Sequence, residues 1–599
     1  MRFVKRLFSY VAPYKIKAIL AILCTIFYTL SRASQPFLIG LAISELSKNM
    51  MAGTGINFVY IGTIGLCLLC SGIFDALGDY TSNYLLADVI QKAMYDIRMD
   101  IKHKLDNLPV GYFDSHKQGD ILGRITTDVD VVSSALQQGI LKIFAAFLTL
   151  FFSIVFMFMR SWFFGFIMLI IFPISAWAFK KLFNYGHPMF VDLQNELGRL
   201  NAFTNEVYSG YEVIQLFGQE EQMIKKHGEI TENIAEVGFH SNFTASVINP
   251  ILNHIIHLFY IMGFTLMALT VLNKPLMLGG IVVATTIDVG QLQSFVQYIW
   301  QFGSPIRDIT QLSNVLQAAL ASLERVCNLL DEQEEAPDHV TASLNRADVQ
   351  GAVEFNHVSF GYFPHKLLMK DVNISVKAGQ TVAIVGPTGA GKTTLINLLM
   401  RFYEVTGGQI TVDGINLAHL SRAQSRSLFG MVLQDPWLYS ATIAENIAFG
   451  AKQTTEAEIV AAAKVANVDH YIRTLPEGYQ TNINEASTNI SQGQKQLLTI
   501  ARALVADPPI LILDEATSSV DTRLEILIQE AMETAMQGRT SFIIAHRLST
   551  IRNADLILVM NHGTIVEQGT HEHLLAQGGM YKEIYESQFA GQDVSVEEE

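Results

Sequence analysis

The residues best suited to chemistry in this chain are Gly386-Pro387-Thr388-Gly389-Ala390-Gly391-Lys392-Thr393-Thr394, lying between the apolar run Thr381 to Val385 and the helix-like run Leu395 to Met400. Their spacing is that of a P-loop, a strand, a glycine-rich turn and a helix N-terminus in succession. Several backbone N–H groups and a helix dipole then converge on one point, where an anion such as a polyphosphate satisfies them. Lys392 is placed to reach the β- and γ-phosphates and Thr393 a magnesium ion. Average composition gives such a pattern by chance in about one chain in fifty of this length, so its surroundings carry the inference.

Those surroundings supply further groups. Pro509 to Leu513 is an apolar strand pattern that delivers Asp514 and Glu515 to its C-terminal edge, as a buried parallel strand would. Asp514 can hold magnesium through water, and Glu515 can take a proton from an attacking water. Ser541 to Ala545 repeats the pattern and ends at His546, whose imidazole is placed either to hydrogen-bond a γ-phosphate or to serve the fold. Gly430 to Leu433 reads as a strand ending at Gln434, and Val353 to Phe360 as one followed by Tyr362, a ring that could stack on adenine or simply pack. Ser491-Gln492-Gly493-Gln494 opens a helix running through Leu504, a second anion-binding N-terminus. One nucleotide cannot easily use both helix ends of the same chain, which invites a second chain whose segment closes over this P-loop.

The elements that must hold these residues fall into two halves. Half of the 599 residues are apolar, and a mean hydropathy of +0.28 is high for a soluble protein. The excess lies before about residue 325, in runs near 18–43, 56–80, 135–159, 161–182 and 247–272, with a sixth between 279 and 305. Lys and Arg crowd residues 1–17, 81–130 and 180–230, whereas the intervening loops hold only Lys48, Arg160 and Lys274. Six spans with this bias place both termini in the cytoplasm. The polar stretches after the second and fourth spans have helical patterns and predict helical extensions reaching toward the nucleotide-binding half.

Residues 1–17 read as a basic amphipathic surface segment; a signal peptide is disfavoured because the following run is long enough to span. The formal charge of −15, without a basic stripe, excludes nucleic acid as the expected partner. Cys24, Cys67, Cys70 and Cys327 read as buried free thiols. Within the spans, Arg32, Asp75, Asp79, His254 and His257 are ionisable. Asp75 is expected to face a cavity and favour cationic cargo. An Arg32–Asp75 pair is not expected, because the two lie at about eleven and nineteen residues from the outer turn, roughly 12 Å apart in depth.

Taken together, Gly386 to Thr393, Gln434, Ile490 to Gln494, Leu513 to Asp521 and Ala545-His546-Arg547 resemble the Walker A, Q-loop, signature, Walker B, D-loop and H-loop of ATP-binding cassette (ABC) transporters. Leu108 to Asp114, with Gly119, Asp120, Arg124, Asp128 and Val129, resembles the first intracellular loop of type IV ABC exporter half-transporters, and Gly210 to Glu220 the second. The resemblance covers about residues 1–588. It implies a six-helix transmembrane bundle with long cytoplasmic helical extensions over 1–325, a linker over 326–350, an α/β P-loop ABC nucleotide-binding domain over 351–588 and an acidic tail over 589–599. It also implies that the sixth span is 289–310, with Asp288 as its N-cap and 274–287 an outer hairpin.

Carried over residue by residue, the resemblance makes Glu515, His546 and Gln434 catalytic. ATP is bound by Tyr362, Gly386, Thr388, Gly389, Gly391, Lys392, Thr393 and Thr394, while Ser491, Gly493, Gln494 and Asp521 serve the nucleotide across a dimer. Thr393, Gln434 and Asp514 hold Mg2+. The family's usual Leu-Ser-Gly-Gly-Gln is altered by Ile490 and Gln492, and Asn484 to Ser487 lacks the usual Gly-Glu-Arg-Gly. Both departures fall on the surface offered to a partner. The expected protein is therefore an ATP-driven exporter of small amphipathic or hydrophobic compounds, multidrug-type, in the cytoplasmic membrane and in contact with its lipids. Its expected partner is a different half-transporter with a degenerate catalytic site. The alternatives are a homodimeric lipid flippase and a peptide exporter; a peptide exporter that processes its own cargo is disfavoured, since no additional domain is read before residue 1.

Overall fold

The computed structural model describes residues 2–53, 55–160, 162–271, 276–278, 281–284, 288–363, 366–451, 453–483, 490–514, 522–545 and 548–589. The expectations on Glu515, Asp521, His546, Asn484 to Ser487 and the tail from 590 lie outside these residues. The chain forms two compact units: Met1–Asp106 with Gln118–Glu332, and Asn107–Lys117 with Gln333–Glu599.

The first unit is helical. In chain order it contains α1 (Arg2–Val11), α2 (Lys15–Ala52) and α3 (Phe58–Asp106); α4 (Val110–Ser115) belongs to the second unit. Then come α5 (Gln118–Ile125), α6 (Thr127–Ala135), a π-helical turn at Leu136–Ile140, α7 (Leu141–Arg160), α8 (Trp162–Ser209), α9 (Tyr211–Leu216) and α10 (Glu220–Val271). An antiparallel hairpin of β1 (Leu276–Leu278) and β2 (Ile281–Ala284) precedes α11 (Val289–Asp331). Among the described residues three stretches are long and apolar enough to cross a membrane: Lys5–Ala52, Phe58–Asp106 and Gln118–Arg160. The expected spans 161–182, 247–272 and 289–310 fall on α8, α10 and α11, with residues 161 and 272 outside the described set. The polar stretch after the second span continues α3, and that after the fourth continues α8, as helical extensions.

Pro36 sits inside α2, where it removes one helical hydrogen bond. Hydroxyls of α11 support the backbone around it: Ser294 donates to the Pro36 carbonyl at 2.9 Å and Tyr298 to that of Ala33 at 2.8 Å. Asp288 caps α11 as expected, its carboxylate accepting from Gln291 N at 2.8 Å in a reciprocal capping box. The same carboxylate accepts from Ser44 of α2 at 2.7 Å and from Arg160, the last residue of α7, at 3.3 Å. Arg160 also donates to the Ser44 hydroxyl and to Gly40 O. One guanidinium thus fastens α2, α7 and α11 together. Backbones meet here as well, since a Cβ on Gly290 would lie 2.0 Å from Gly40 O.

The expectation that Arg32 and Asp75 do not pair is overturned. Their side chains form an ion pair, Nη2 to Oδ1 at 3.0 Å and Nε to Oδ2 at 3.3 Å. The depth estimate fails because α2 does not stop near residue 43 but runs to Ala52, so Arg32 lies 20 residues from its turn and Asp75 17 from the start of α3. That is a mismatch of about 4.5 Å, which two long side chains span. The thiols also differ from expectation: Cys327 is buried, whereas Cys67 and Cys70 are exposed. His254 hydrogen-bonds its own helix at Pro250 O, and His257 meets the edge of Trp300.

The second unit is α/β. Its antiparallel sheet is β4 (Met369–Val376), β3 (Val353–Phe360), β6 (Gly407–Val412) and β7 (Ile415–Asn416) in that spatial order. The larger sheet is built around β5 (Thr381–Val385), from which α12 (Lys392–Leu399) departs, and β8 (Phe429–Val432), which follows the short α13 (Arg422–Arg426). A short pair, β9 (Ala441–Thr442) and β10 (Asn482–Ile483), brackets α14 (Ile443–Ala448), α15 (Glu456–Val465) and α16 (Asp469–Thr474). Then follow α17 (Gln492–Ala506), β11 (Ile510–Asp514), α18 (Thr522–Met536), β12 (Thr540–Ile544), α19 (Leu548–Arg552), β13 (Leu556–Asn561) and β14 (Thr564–Gly569), closed by α20 (His571–Gln577) and α21 (Met580–Phe589). The strand order is β14-β13-β5-β12-β11-β8, parallel except for β14. Val382 to Val385 and Ile510 to Leu513 are fully covered, which is why these strands read as continuous apolar runs without alternation.

Candidate functional site

In a parallel sheet every strand ends on the same edge, and ligands gather beyond it. The order β5-β12-β11-β8 therefore fixes a row: the P-loop after β5, the segment after β12, Asp514 at the end of β11, and Gln434 two residues beyond β8. Neighbouring strands lie about 4.8 Å apart, so the row spans roughly 15 Å, the scale of a nucleotide triphosphate with its metal. The strand register supports this, pairing Asp514 with Ile544 and Ile544 with Ile384.

The P-loop is shaped by its glycines. Gly391 caps α12 with φ of 102°, a left-handed value that other residues adopt only with strain. A Cβ on Gly386 would sit 2.3 Å from Met560 O, so only glycine fits under β13. Thr388, Gly389 and Thr393 are exposed on the outer face of the loop, while Ala390 and Thr394 anchor its inner face in the core. Lys392 donates to Gly386 O at 2.7 Å and Pro387 O at 3.3 Å, which holds its ammonium at the mouth of the loop. Burial pushes the Lys392 ammonium below the usual lysine range, and the nearby Asp514 carboxylate offsets part of this. A cation, a helix N-terminus and a carboxylate thus share one place.

Tyr362 is half exposed, its ring edge-on to Phe360 and Tyr403 at 5.0 and 5.1 Å. Its hydroxyl meets Thr394 Oγ1 at 3.0 Å, tying the aromatic loop to the P-loop helix. Ser491 is the N-cap of α17 and forms a capping box with Gln494: its Oγ accepts from Gln494 N and its own N donates to Gln494 Oε1. Gly493 is buried in the first turn. The structure therefore keeps the Ser491 segment as a second, separate helix start.

Tyr403 is a residue that the sequence does not single out. Its hydroxyl donates to Asp114, in the stretch 107–117, and a Cβ on Gly111 would touch its ring at 3.0 Å. The backbone joins in, with Glu335 N donating to Asn107 O at 2.9 Å. The expected reach of the first polar loop to the nucleotide-binding half is realised here. A tyrosine one turn past a helix end carries no signal in one sequence; only the fold brings it to Asp114.

A P-loop ATPase sheet on the same chain as long apolar helices defines a membrane-bound, nucleotide-driven machine. The comparisons agree. The ABC transporter transmembrane region family matches residues 18–296, and the ABC transporter family residues 369–518. The chain is 43% identical to a "Fatty acid ABC transporter ATP-binding/permease protein" of Mycobacterium tuberculosis, over 90% of this chain and 83% of that protein. It is 31% identical to an "ATP-dependent lipid A-core flippase" of Syntrophus aciditrophicus, over 99% and 96%. The structure of a bacterial Atm1-family ABC exporter with ATP bound superposes with a TM-score of 0.72 at 27% identity, covering 96% of this chain and 99% of that one. The chain belongs to the ABC exporters, as a type IV half-transporter: a multi-pass membrane protein that binds and hydrolyses ATP, in a family that acts as dimers.

Proposed function

We propose that this half-transporter moves small amphipathic or hydrophobic compounds out across the cytoplasmic membrane by alternating access, its six spans holding both termini in the cytoplasm. ATP closes two nucleotide-binding domains, and hydrolysis reopens them. The observation that carries the reading is the row from Lys392 to Asp514 and Gln434 along one sheet edge, on a chain whose membrane region is apolar. The names of two similar proteins, a fatty acid transporter and a lipid A-core flippase, favour lipid-like cargo over peptides.

The hydroxyl of Thr393 and the oxygens of Asp514 and Gln434 are hard donors, suited to Mg2+. These three residues would hold the ion, which supplies charge neutralisation at the phosphates. Glu515 serves as the general base and His546 as a γ-phosphate contact. Tyr362 stacks on adenine. Ser491, Gly493 and Gln494, with Asp521, serve the partner's nucleotide.

The altered signature supports a heterodimer, because Gln492 would burden both sites of a homodimer but only one of a mixed pair. ATP-dependent uptake of a labelled dye and a labelled lipid into inverted vesicles tests the transport reading; no uptake of either refutes it. Expressing the chain alone tests assembly: a stable two-chain particle with robust substrate-stimulated ATPase would refute the heterodimer.

A further inference from the structure

The Arg32–Asp75 pair sits where a membrane protein keeps charge only for a reason. Arg32 lies 14 residues into the apolar run that begins at Ala18 and 20 before the end of α2 at Ala52. At 1.5 Å per residue that is about 21 Å from one end and 30 Å from the other, and both members of the pair fall inside apolar runs. Pairing neutralises the charge but does not satisfy the guanidinium. Asp75 takes Nε and Nη2. Among the described residues Nη1, with two N–H donors, has no polar partner.

Exposure decides which partner of the pair can meet a ligand. The Arg32 side chain is 44% exposed and that of Asp75 only 19%. The available group is thus a cationic double donor, which reverses the cation preference expected from Asp75 alone. Arg32 is held in place rather than mobile: its guanidinium also lies 5.4 Å over the Tyr28 ring, and Tyr28 is itself buried. Beside it the helices offer apolar surface. Phe27 and Leu30 on α2 and Phe74 and Leu77 on α3, all within five residues of the pair, are exposed.

We propose that Arg32 is the headgroup site for an anionic amphiphile, an oxyanion on a long apolar tail. The oxyanion accepts from Nη1 while Asp75 keeps its own bonds, and the tail lies against the neighbouring apolar side chains. Asp75 holds the guanidinium ready and keeps a bare charge out of the membrane when no headgroup is bound. The inference deepens the exporter reading and rests on it for transport, but its test is a binding measurement that stands apart.

The full-length protein in nanodiscs is titrated with three fluorescent C16 probes: the carboxylate, the alkyl phosphate and the neutral alcohol, with empty nanodiscs as reference. A charge-assisted hydrogen bond predicts that at least one anionic probe binds about tenfold or more tighter than the alcohol, and the two anionic arms identify the headgroup. Arg32→Lys should keep part of that ratio. Removing Arg32 alone would strand the Asp75 charge, so the decisive variant is Arg32→Gln with Asp75→Asn, which should bring the ratio to about one. Equal binding of all three probes by the wild type, or an unchanged ratio in the double variant, overturns the proposal. Failure of vesicle uptake with the binding ratio intact would count against the exporter reading and not against this site.

Discussion

Tyr403 donates its hydroxyl to Asp114 and presents the edge of its ring to Tyr362, so one side chain touches both the stretch 107–117 and the aromatic loop of the nucleotide site. Burial and the neighbouring carboxylate both push the phenol above its usual range, so it remains a donor at any physiological pH.

This contact predicts a measurable coupling. Because the pair is partly exposed, Tyr403→Phe and Asp114→Asn should show a coupling of about 1 kcal/mol in a double-mutant cycle on thermal unfolding. Cargo moved per ATP hydrolysed should fall in either variant while ATP affinity holds. Strict additivity of the two changes would mean that the hydrogen bond contributes nothing.

Lys392 gives a pH dependence. Only the ammonium attracts phosphate, so ATP affinity should be constant while the group is protonated and fall as pH rises through its lowered pKa. The fall should therefore begin at lower pH than for an ordinary lysine. Lys392→Arg, whose charge does not titrate, should remove it. A wild-type affinity flat into the range of an unperturbed lysine would contradict the effect of burial.

Gly290→Ala should destabilise the membrane unit by about 1–3 kcal/mol, the range for overpacking. The atom that blocks the new methyl group is the backbone oxygen of Gly40, which no rotamer change can move aside. Gly72→Ala, with nothing within 4 Å, is the control. Equal thermal stability of the two variants in detergent would show that α2 and α11 separate freely.

Glu515→Gln should leave ATP binding intact and reduce turnover by about 10² or more, the scale of a lost general base. Turnover near wild type in the purified assembly would return Glu515 to a subsidiary role.

Much of the fold and of the nucleotide site is legible in the order of the residues, for reasons that differ by region. Strands such as Thr381–Val385 and Ile510–Asp514 are buried on both faces, so their apolar runs end where the chemistry begins. Ser491 announces a helix start because capping is a local matter of three or four residues, whereas Asp288 is placed as a cap by the family resemblance. The Arg32–Asp75 pair is not legible in this way, because it depends on where a helix ends, and hydropathy marks the edge of an apolar run rather than the last helical turn. Nor is the role of Tyr403, whose partner lies 289 residues away; no local pattern encodes a contact of that separation.

The Arg160 fastening has a kinetic consequence. The end of α7, the start of α11 and the Gly40–Ser44 stretch of α2 share one guanidinium, so none can part from the others there without breaking the contacts of all three. Separation at this end is then a single event with one barrier, rather than a gradual spreading. Spin labels near the ends of α2 and α7 should report two sharp distances whose proportions change with nucleotide, and Arg160→Ala should merge them into one broad distribution.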